Sequence, residues 1–489
     1  MKKVELVFVP GPGIGHLSTA LQIADLLLRR DHRLSVTVLS IPLPWEAKTT
    51  TQPESLFPSS TTTTTSRIRF ISLPQRPLPD DAKGPFQFQA VFETQKQNVK
   101  EAVAKLSDSS ILAGLVLDMF CVTMVDVAKQ LGVPSYVFFT SSAGYLSFTS
   151  HLQDLSDRHG KETQQLMRSD VEIAVPGFTN PVPGKVIPGV YFNKNMAEWL
   201  HDCARRFRET NGILVNTFSE LESQVMDSFS DATAASQFPA VYAVGPILSL
   251  NKNTSAASSE SQSGDEILKW LDQQPPSSVV FLCFGSKGSL NPDQAREIAH
   301  ALERSGHRFV WSLRQPSPKG KFEKPIEYDN IEDVLPEGFL DRTAEMGRVI
   351  GWAPQVEILG HPATGGFVSH CGWNSTLESL WYGVPIATWP MYAEQHFNAF
   401  EMGVELGLAV GISSESSIEE GVIVSAEKIE EGIRKLMGGG GGGGGGEVRK
   451  LVKAKSEESR KSVMEGGSSF TSLNRFIDEV MKSPFNCGV

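Results

Sequence analysis

Along most of the chain, short apolar runs alternate with stretches whose hydrophobic residues recur every three or four positions. In the first half the runs are VELVFV (4–9), LSVTVLSI (34–41), IRFISL (68–73), LAGLVLD (112–118), SYVFFT (135–140), GILVNT (212–217) and AVYAVG (240–245). Several show no polar alternation, the pattern of strands buried on both faces of a parallel sheet. Between the first two, Leu17, Ala20, Leu21, Ala24 and Leu28 fall at helical spacing, so the series reads as βαβ units.

The stretch SLNKNTSAASSESQSGDEI (249–267) interrupts this alternation. It is rich in serine and offers almost nothing to bury, and reads as an interdomain linker. The alternation restarts with SVVFLCFGS (278–286), RFVWSLR (308–314), GRVIGWA (347–353), GGFVSHC (365–371), PIATWPM (385–391) and GLAVGI (407–412). Two doubly wound α/β domains are therefore expected, residues 1–248 and 268–469, with ligands held beyond the C-terminal ends of their strands in a cleft between them. A length of 489 residues agrees with two domains. SSTTTTTSR (59–67) and the glycine run Gly438–Gly446 read as flexible loops without chemistry.

Composition narrows the function. A net charge of −11 with no arginine-rich run argues against a nucleic-acid partner. Five cysteines (Cys121, Cys203, Cys283, Cys371, Cys487) are scattered, odd in number and without CxxC spacing. They read as reduced thiols of a cytosolic protein, and as neither a disulfide framework nor a zinc site. The N-terminal MKKVELVFVPGPG stops being apolar at Pro10, so it reads as a first strand and not as a signal peptide. No run approaches the length of a membrane helix. A monomer without membrane insertion is the default expectation.

Three stretches carry candidate chemistry. GPGIGHLS (11–18) follows the first strand but places His16 where a dinucleotide fingerprint needs its third glycine, and no acidic residue follows the second strand. A dehydrogenase is thereby disfavoured. What remains is a glycine-rich loop presenting a histidine, a candidate base because imidazole titrates near ~6.5. Asp118, ending an apolar strand, would sit at the same sheet edge and could accept the ring N–H, although a cap or turn role is the plainer alternative. SHCGWNSTLESL (369–380) opens a helix. Either Asn374 or Ser375 caps its first turn, or the helix start holds an anion, with Gly372 admitting a ligand to the backbone. A Cys–His hydrolase on Cys371 is set aside, because neighbours on a strand point to opposite faces.

From 352 to 395 the chain reads WAPQVEILGHPATGGFVSHCGWNSTLESLWYGVPIATWPMYAEQ. This segment closely resembles the signature box of plant secondary-product UDP-glycosyltransferases, over its whole length and without insertion. GPGIGHL, LVLDMFC, WLDQQPPSSVVFLCFGS and EGGSSFTSLNRFIDEV look like the same family, in particular its members acting on flavonoids, other phenolics and terpenoids. The resemblance implies a GT-B fold, two Rossmann-like domains facing each other, with a terminal helix over 470–489 packing back on the first. It implies Trp352 stacking on uracil, Ala353 backbone groups at the base edge, Gln355 near ribose or base, and Glu378 accepting the ribose hydroxyls. Gly372, Asn374, Ser375 and the helix start would hold the α-phosphate, and His370 and Ser286 the β-phosphate. Gly15, Thr140, Trp373, Tyr392, Glu394 and Gln395 complete the donor set, the last two gripping the sugar. Glucose is the donor that Gln395 and Trp373 usually accompany. UDP-glucose is thus a co-substrate and no metal is expected: His370 and the helix start would meet the leaving-group charge, no Asp-x-Asp ends a strand, and the Asp80–Asp81 pair lies in a proline-rich loop. His16 would deprotonate the acceptor hydroxyl and Asp118 would stabilise the imidazolium, giving a β-glucoside by inversion. Phe86, Phe88, Phe120, Tyr145, Tyr191 and Phe192 are the candidate lining of an apolar acceptor pocket, with plain loop packing the alternative for each.

Overall fold

The computed structural model describes residues 3–44, 64, 66–80, 82, 86–108, 110–168, 170–230, 238–248, 258–316, 325–412, 422–438 and 445–482, with backbone alone over 258–263. Two compact units emerge. The first comprises Met1–Gly184, Val190–Asn251 and Lys461–Val489; the second comprises Lys185–Gly189 and Lys252–Arg460.

The first unit is built on a parallel sheet of seven strands: β1 (Val4–Val9), β2 (Leu34–Ser40), β3 (Ile68–Ser72), β4 (Ile111–Asp118), β5 (Ser135–Phe139), and, after a two-residue antiparallel ribbon of β6 (Glu172–Ile173) with β7 (Val182–Pro183), β8 (Gly212–Val215) and β9 (Ala240–Ala243). Their spatial order is β3-β2-β1-β4-β5-β8-β9. The runs without polar alternation occupy the middle: β1 and β5 are buried throughout, whereas the edge strand β3 is only half-buried. The order reverses between β1 and β4, where Val9 pairs with Leu117, so the loops leaving these two strands diverge and open a crevice.

The second unit repeats the plan with β10 (Val279–Cys283), β11 (Arg308–Ser312), β12 (Gly347–Ile350), β13 (Thr364–Ser369), β14 (Ile386–Thr388) and β15 (Ala409–Gly411), all parallel in the order β12-β11-β10-β13-β14-β15. Its reversal lies between β10 and β13, with Cys283 opposite Ser369. The expected doubly wound α/β architecture is observed in each unit.

Boundaries differ from expectation in two places. The proposed linker 249–267 is helical from Ser258, within a helix running to Leu271. Ile267, Trp270 and Leu271, three and four positions apart, are buried, and a helix anchored by such a stripe extends backward through serines that need bury nothing. Residues 249–257 lie outside the described residues. The terminal helix spans Ser468–Lys482, and residues from 461 onward group with the first unit, although 268–469 was expected to form the second domain. Leu473, Phe476, Ile477 and Val480 bury one face of that helix in a core shared with Tyr136, Leu214 and Tyr242. The Gly438–Gly446 loop is described only at its ends: Gly438 caps the helix Ala426–Met437 in a left-handed conformation, and Gly445 begins the helix Gly445–Val463. Most of SSTTTTTSR, Asp81 and Cys487 also lie outside the described residues. Among the described residues no helix is long and apolar enough to cross a membrane.

Candidate active site

In the first unit the chain leaves β1 through GPG and turns at once into a helix, Ile14–Arg30. His16 therefore stands in that helix's first turn, and not on a loop as expected, because only three residues separate Val9 from the cap Gly13. Asp118 is the last residue of β4 and is buried. Since β1 and β4 flank the reversal, the two meet: His16 Nδ1 lies 2.8 Å from Asp118 Oδ2. The other carboxylate oxygen accepts the Phe120 backbone N–H at 3.0 Å, so the carboxylate is held at both ends. A Cβ at residue 11 would lie 2.7 Å from Asp118 Oδ1, which is why the first glycine of GPG allows this approach. With its Nδ1–H donated to Asp118, the ring carries its lone pair on Nε2, the tautomer a general base needs.

Thr140, expected at the donor sugar or phosphate, is placed on the base itself, with Oγ1 3.2 Å from His16 Nδ1. Gly15 is exposed beside the histidine in the same turn. The rings of Phe92, Trp199, Phe120 and His16 follow one another at centroid distances of 6.1, 6.0 and 5.5 Å. Sequence analysis did not single out Phe92 or Trp199, because an aromatic within a helix carries no signal of which ring it will face.

The acceptor residues divide. Phe86 and Phe88 are half-buried in the first turn of the helix Phe86–Ser107, and Phe120 is half-buried against His16. Phe192 is 67% exposed. Tyr191 follows the packing alternative and not the lining one: it is only 1% exposed and packs against the His201 ring at 5.6 Å, as part of the core. Tyr145 is likewise buried, within the helix Ala143–His159 and against Phe139. Tyrosine hydropathy does not tell a lining position from a core one.

In the second unit the strand ends again gather the predicted residues. β13 ends at Ser369; His370 and Cys371 follow, and the helix Trp373–Tyr382 begins. Its N-cap is Gly372 and no side chain caps it, so of the two alternatives capping by Asn374 or Ser375 is not observed: both lie inside the first turn. Cys371 adopts φ +64°, and the buried Asn398 amide donates to its carbonyl at 2.9 Å, holding a backbone shape that costs about 1–3 kcal/mol. The Cys371 thiol donates to the Ser369 carbonyl, and burial pushes its pKa up to about 12. A nucleophilic thiol is excluded by this burial; strand alternation is not the reason, because β13 has already ended.

His370 is buried, and its Nδ1 meets no hydrogen-bond partner among the described residues. Burial, aided by the nearby Arg314 charge, pushes its pKa down to about 4. At neutral pH it is an uncharged imidazole able to donate one N–H. A Cβ on Gly285 or Gly372 would come 2.4 or 2.6 Å from His370 Nε2, and Gly285 has φ +73°. The ring edge is thus sandwiched between the turn after β10 and the cap of the next helix. Ser286 is exposed on that turn.

Gln355 opens the short helix Gln355–Leu359 after β12 and donates from Nε2 to Glu378 Oε2 at 2.7 Å and to Ser375 Oγ at 2.9 Å. Burial raises the Glu378 pKa to about 7 in spite of the Gln355 amide. Trp352 is 41% exposed beside the buried Ala353, and its backbone N–H donates to Glu327 Oε1 at 3.0 Å. Gln395 is buried, with Oε1 accepting the Met391 and Tyr392 N–H groups at 3.0 Å each. Those two bonds fix the amide's orientation, so its NH2 end is the one able to donate to a hydroxyl. Glu394 precedes it, after Ala393 with φ +54°, and Trp373 is buried in the first helical turn. Arg314, beyond the end of β11, was missed from sequence. Its signal was the one that revealed Asp118: a charge closing an apolar strand, RFVWSLR.

Residues 201–429 match the family described as UDP-glucoronosyl and UDP-glucosyl transferase. A UDP-glucose flavonoid 3-O-glucosyltransferase (number 6) of Fragaria ananassa is 49% identical over 99% of this chain and 100% of its own length. A transferase of Siraitia grosvenorii, crystallised in complex with UDP, is 95% identical with a TM-score of 0.91, covering 98% of this chain and 100% of its own. The Medicago truncatula enzyme UGT71G1, complexed with UDP-glucose, is 40% identical with a TM-score of 0.83, over 98% of each chain. The fold class is the GT-B type of these structures.

Proposed function

The chain belongs to the UDP-glucoronosyl and UDP-glucosyl transferase family, and on that premise we propose that it transfers glucose from UDP-glucose to a hydroxyl of a flavonoid, other phenolic or terpenoid acceptor, with inversion to a β-glucoside. The observation that carries this reading is the His16–Asp118 contact at 2.8 Å on the reversal of the first sheet. In the proposed step His16 Nε2 takes the acceptor's hydroxyl proton and the oxygen forms a bond to the anomeric carbon. The bond from that carbon to the β-phosphate oxygen breaks, and UDP leaves with its electron pair. Asp118 stabilises the imidazolium through Nδ1–H, and Thr140 adds a second polar contact there.

For the donor, the reading assigns uracil to Trp352 and Ala353, the ribose hydroxyls to Glu378 with Gln355, and the diphosphate to Asn374, Ser375, His370 and Ser286. The uncapped first turn of Trp373–Tyr382 supports the diphosphate assignment, since its N–H groups and dipole favour an anion. The Gln395 NH2 and Glu394 are assigned to the sugar hydroxyls. Leaving-group charge is met by these groups in the proposal, without a divalent ion. Buried free cysteines at 121, 203, 283 and 371 support a reducing, cytosolic setting.

The test is mass spectrometry of protein incubated with UDP-glucose and a panel of flavonoids and triterpenes, with EDTA present, beside His16→Ala. Products heavier by one hexose are expected from the parent. His16→Ala should lose about 10²- to 10⁴-fold in rate, the worth of a general base, while UDP binding by calorimetry is unchanged. Undiminished turnover by His16→Ala would refute the assigned base; a requirement for added divalent metal would refute the metal-free step.

A further inference from the structure

The fixed positive charge of the donor half does not come from the 352–395 segment. Arg314 lies two residues past the end of β11 and is buried. Its guanidinium donates to three carbonyls of a single turn: Gly285 O, Ser286 O at 3.2 Å and Gly288 O at 3.2 Å. Its Cζ also stands 5.4 Å from the Trp352 ring centroid. Only a planar fork of five N–H donors serves three acceptors and an aromatic face together; a lysine ammonium is a point charge with three donors on one nitrogen.

We propose that Arg314 is a positioning residue for the nucleotide diphosphate, tying the 285–288 turn to the base-stacking ring of Trp352 and setting a fixed positive charge behind the leaving group. This rests on the UDP-glucose reading above. Two independent observations converge on it. All of the hydrogen-bond acceptors just named are neutral carbonyls, and among the described residues no carboxylate lies within ion-pair distance of Arg314. The Glu327 carboxylate acts on Arg314 only from beyond that distance, so the buried cation is compensated in part, and an anionic ligand held by the same turn supplies the rest. Secondly, the charge is felt where the β-phosphate is assigned, because Arg314 contributes to keeping the His370 imidazole unprotonated. His370 offers an N–H there, and Arg314 offers the charge. The turn it secures is the one whose Gly285 packs on the His370 ring edge.

The experiment compares UDP with uridine, which lacks the diphosphate, by calorimetry on the parent and on Arg314→Met, Arg314→Lys and Lys287→Met, with circular dichroism as the check on folding. Lys287 is exposed on the same turn and supplies the competing source of charge. Arg314→Met should lose about tenfold or more for UDP, the worth of one charge-assisted contact, and less than about threefold for uridine, since Met still packs on an aromatic face. Arg314→Lys, which keeps the charge but not the fork, should fall between parent and Arg314→Met for UDP. Equal losses for UDP and uridine, or no loss for either, would overturn the proposal, as would a larger UDP loss from Lys287→Met than from Arg314→Met. If Arg314→Met does not fold, Arg314→Lys decides by the same UDP-to-uridine comparison. A parent that binds no UDP refutes the donor reading itself; a parent that binds while the Arg314 variants match it refutes this inference alone.

Discussion

At Gly285, φ is +73° and a Cβ would fall 2.4 Å from the His370 ring. Gly285→Ala therefore meets two penalties, a left-handed backbone worth about 1–2 kcal/mol and a collision that displaces the imidazole. It should weaken UDP binding by about tenfold or more with secondary structure intact, as calorimetry and circular dichroism would report; unchanged affinity would show that His370 is not needed where it stands. Glu378 makes a different prediction. Burial holds its pKa near about 7, above the ordinary carboxylate value, so the folded protein keeps this proton to higher pH than the unfolded chain. Its contribution to stability is thus fullest in acid and is lost as pH rises toward 7. Ribose hydroxyls donate to the ionised form, so UDP binding should expel a proton and tighten as pH rises from 6 to 7. Calorimetry in buffers of different ionisation enthalpy reads that proton, and Glu378→Gln should abolish it.

Among the elements, the terminal helix Ser468–Lys482 is the one most open to a single truncation. Phe476 is fully buried and meets Tyr136 and Tyr242 edge-on at 5.0 and 5.7 Å. Phe476→Ala should cost about 3–5 kcal/mol, measured by urea unfolding; a loss under about 1 kcal/mol would mean the helix contributes little to that core. Elements were also what the sequence displayed best. Runs such as VELVFV and SYVFFT have no polar alternation, and only a strand covered on both faces satisfies them. The helix Ser258–Leu271 was hidden because its anchoring stripe lies at one end and the residues before it are serine, glycine and charged or amide side chains. Within the site, His16 and Asp118 were legible because polar residues beside apolar strand ends stand out, whereas Glu378, inside its helix, was found only through the family resemblance. Thr140 on the base, Tyr191 in the core and the Arg314 contacts were not. Each depends on which strands are neighbours in space, and neighbours such as β1 and β4 are a hundred residues apart in the chain.

For the whole molecule, the division into two units separates the assigned labours: the base and its carboxylate in the first, the nucleotide groups in the second. Hydrogen exchange with and without UDP should reveal this division. Protection is expected at 285–288, 352–355, 369–378 and 391–395, all in the second unit, with 118–145 unchanged. Protection confined to the first unit would reverse the assignment. The first unit is also discontinuous, since residues from 461 onward complete a core begun by β1, β2 and β4. On the ribosome, where chains emerge at about 5–20 residues per second, the sheet faces around Tyr136, Leu214 and Tyr242 must wait while the intervening second unit is synthesised. The half that begins first is therefore finished last, and a nascent chain passes through a period in which that apolar face is a target for chaperones.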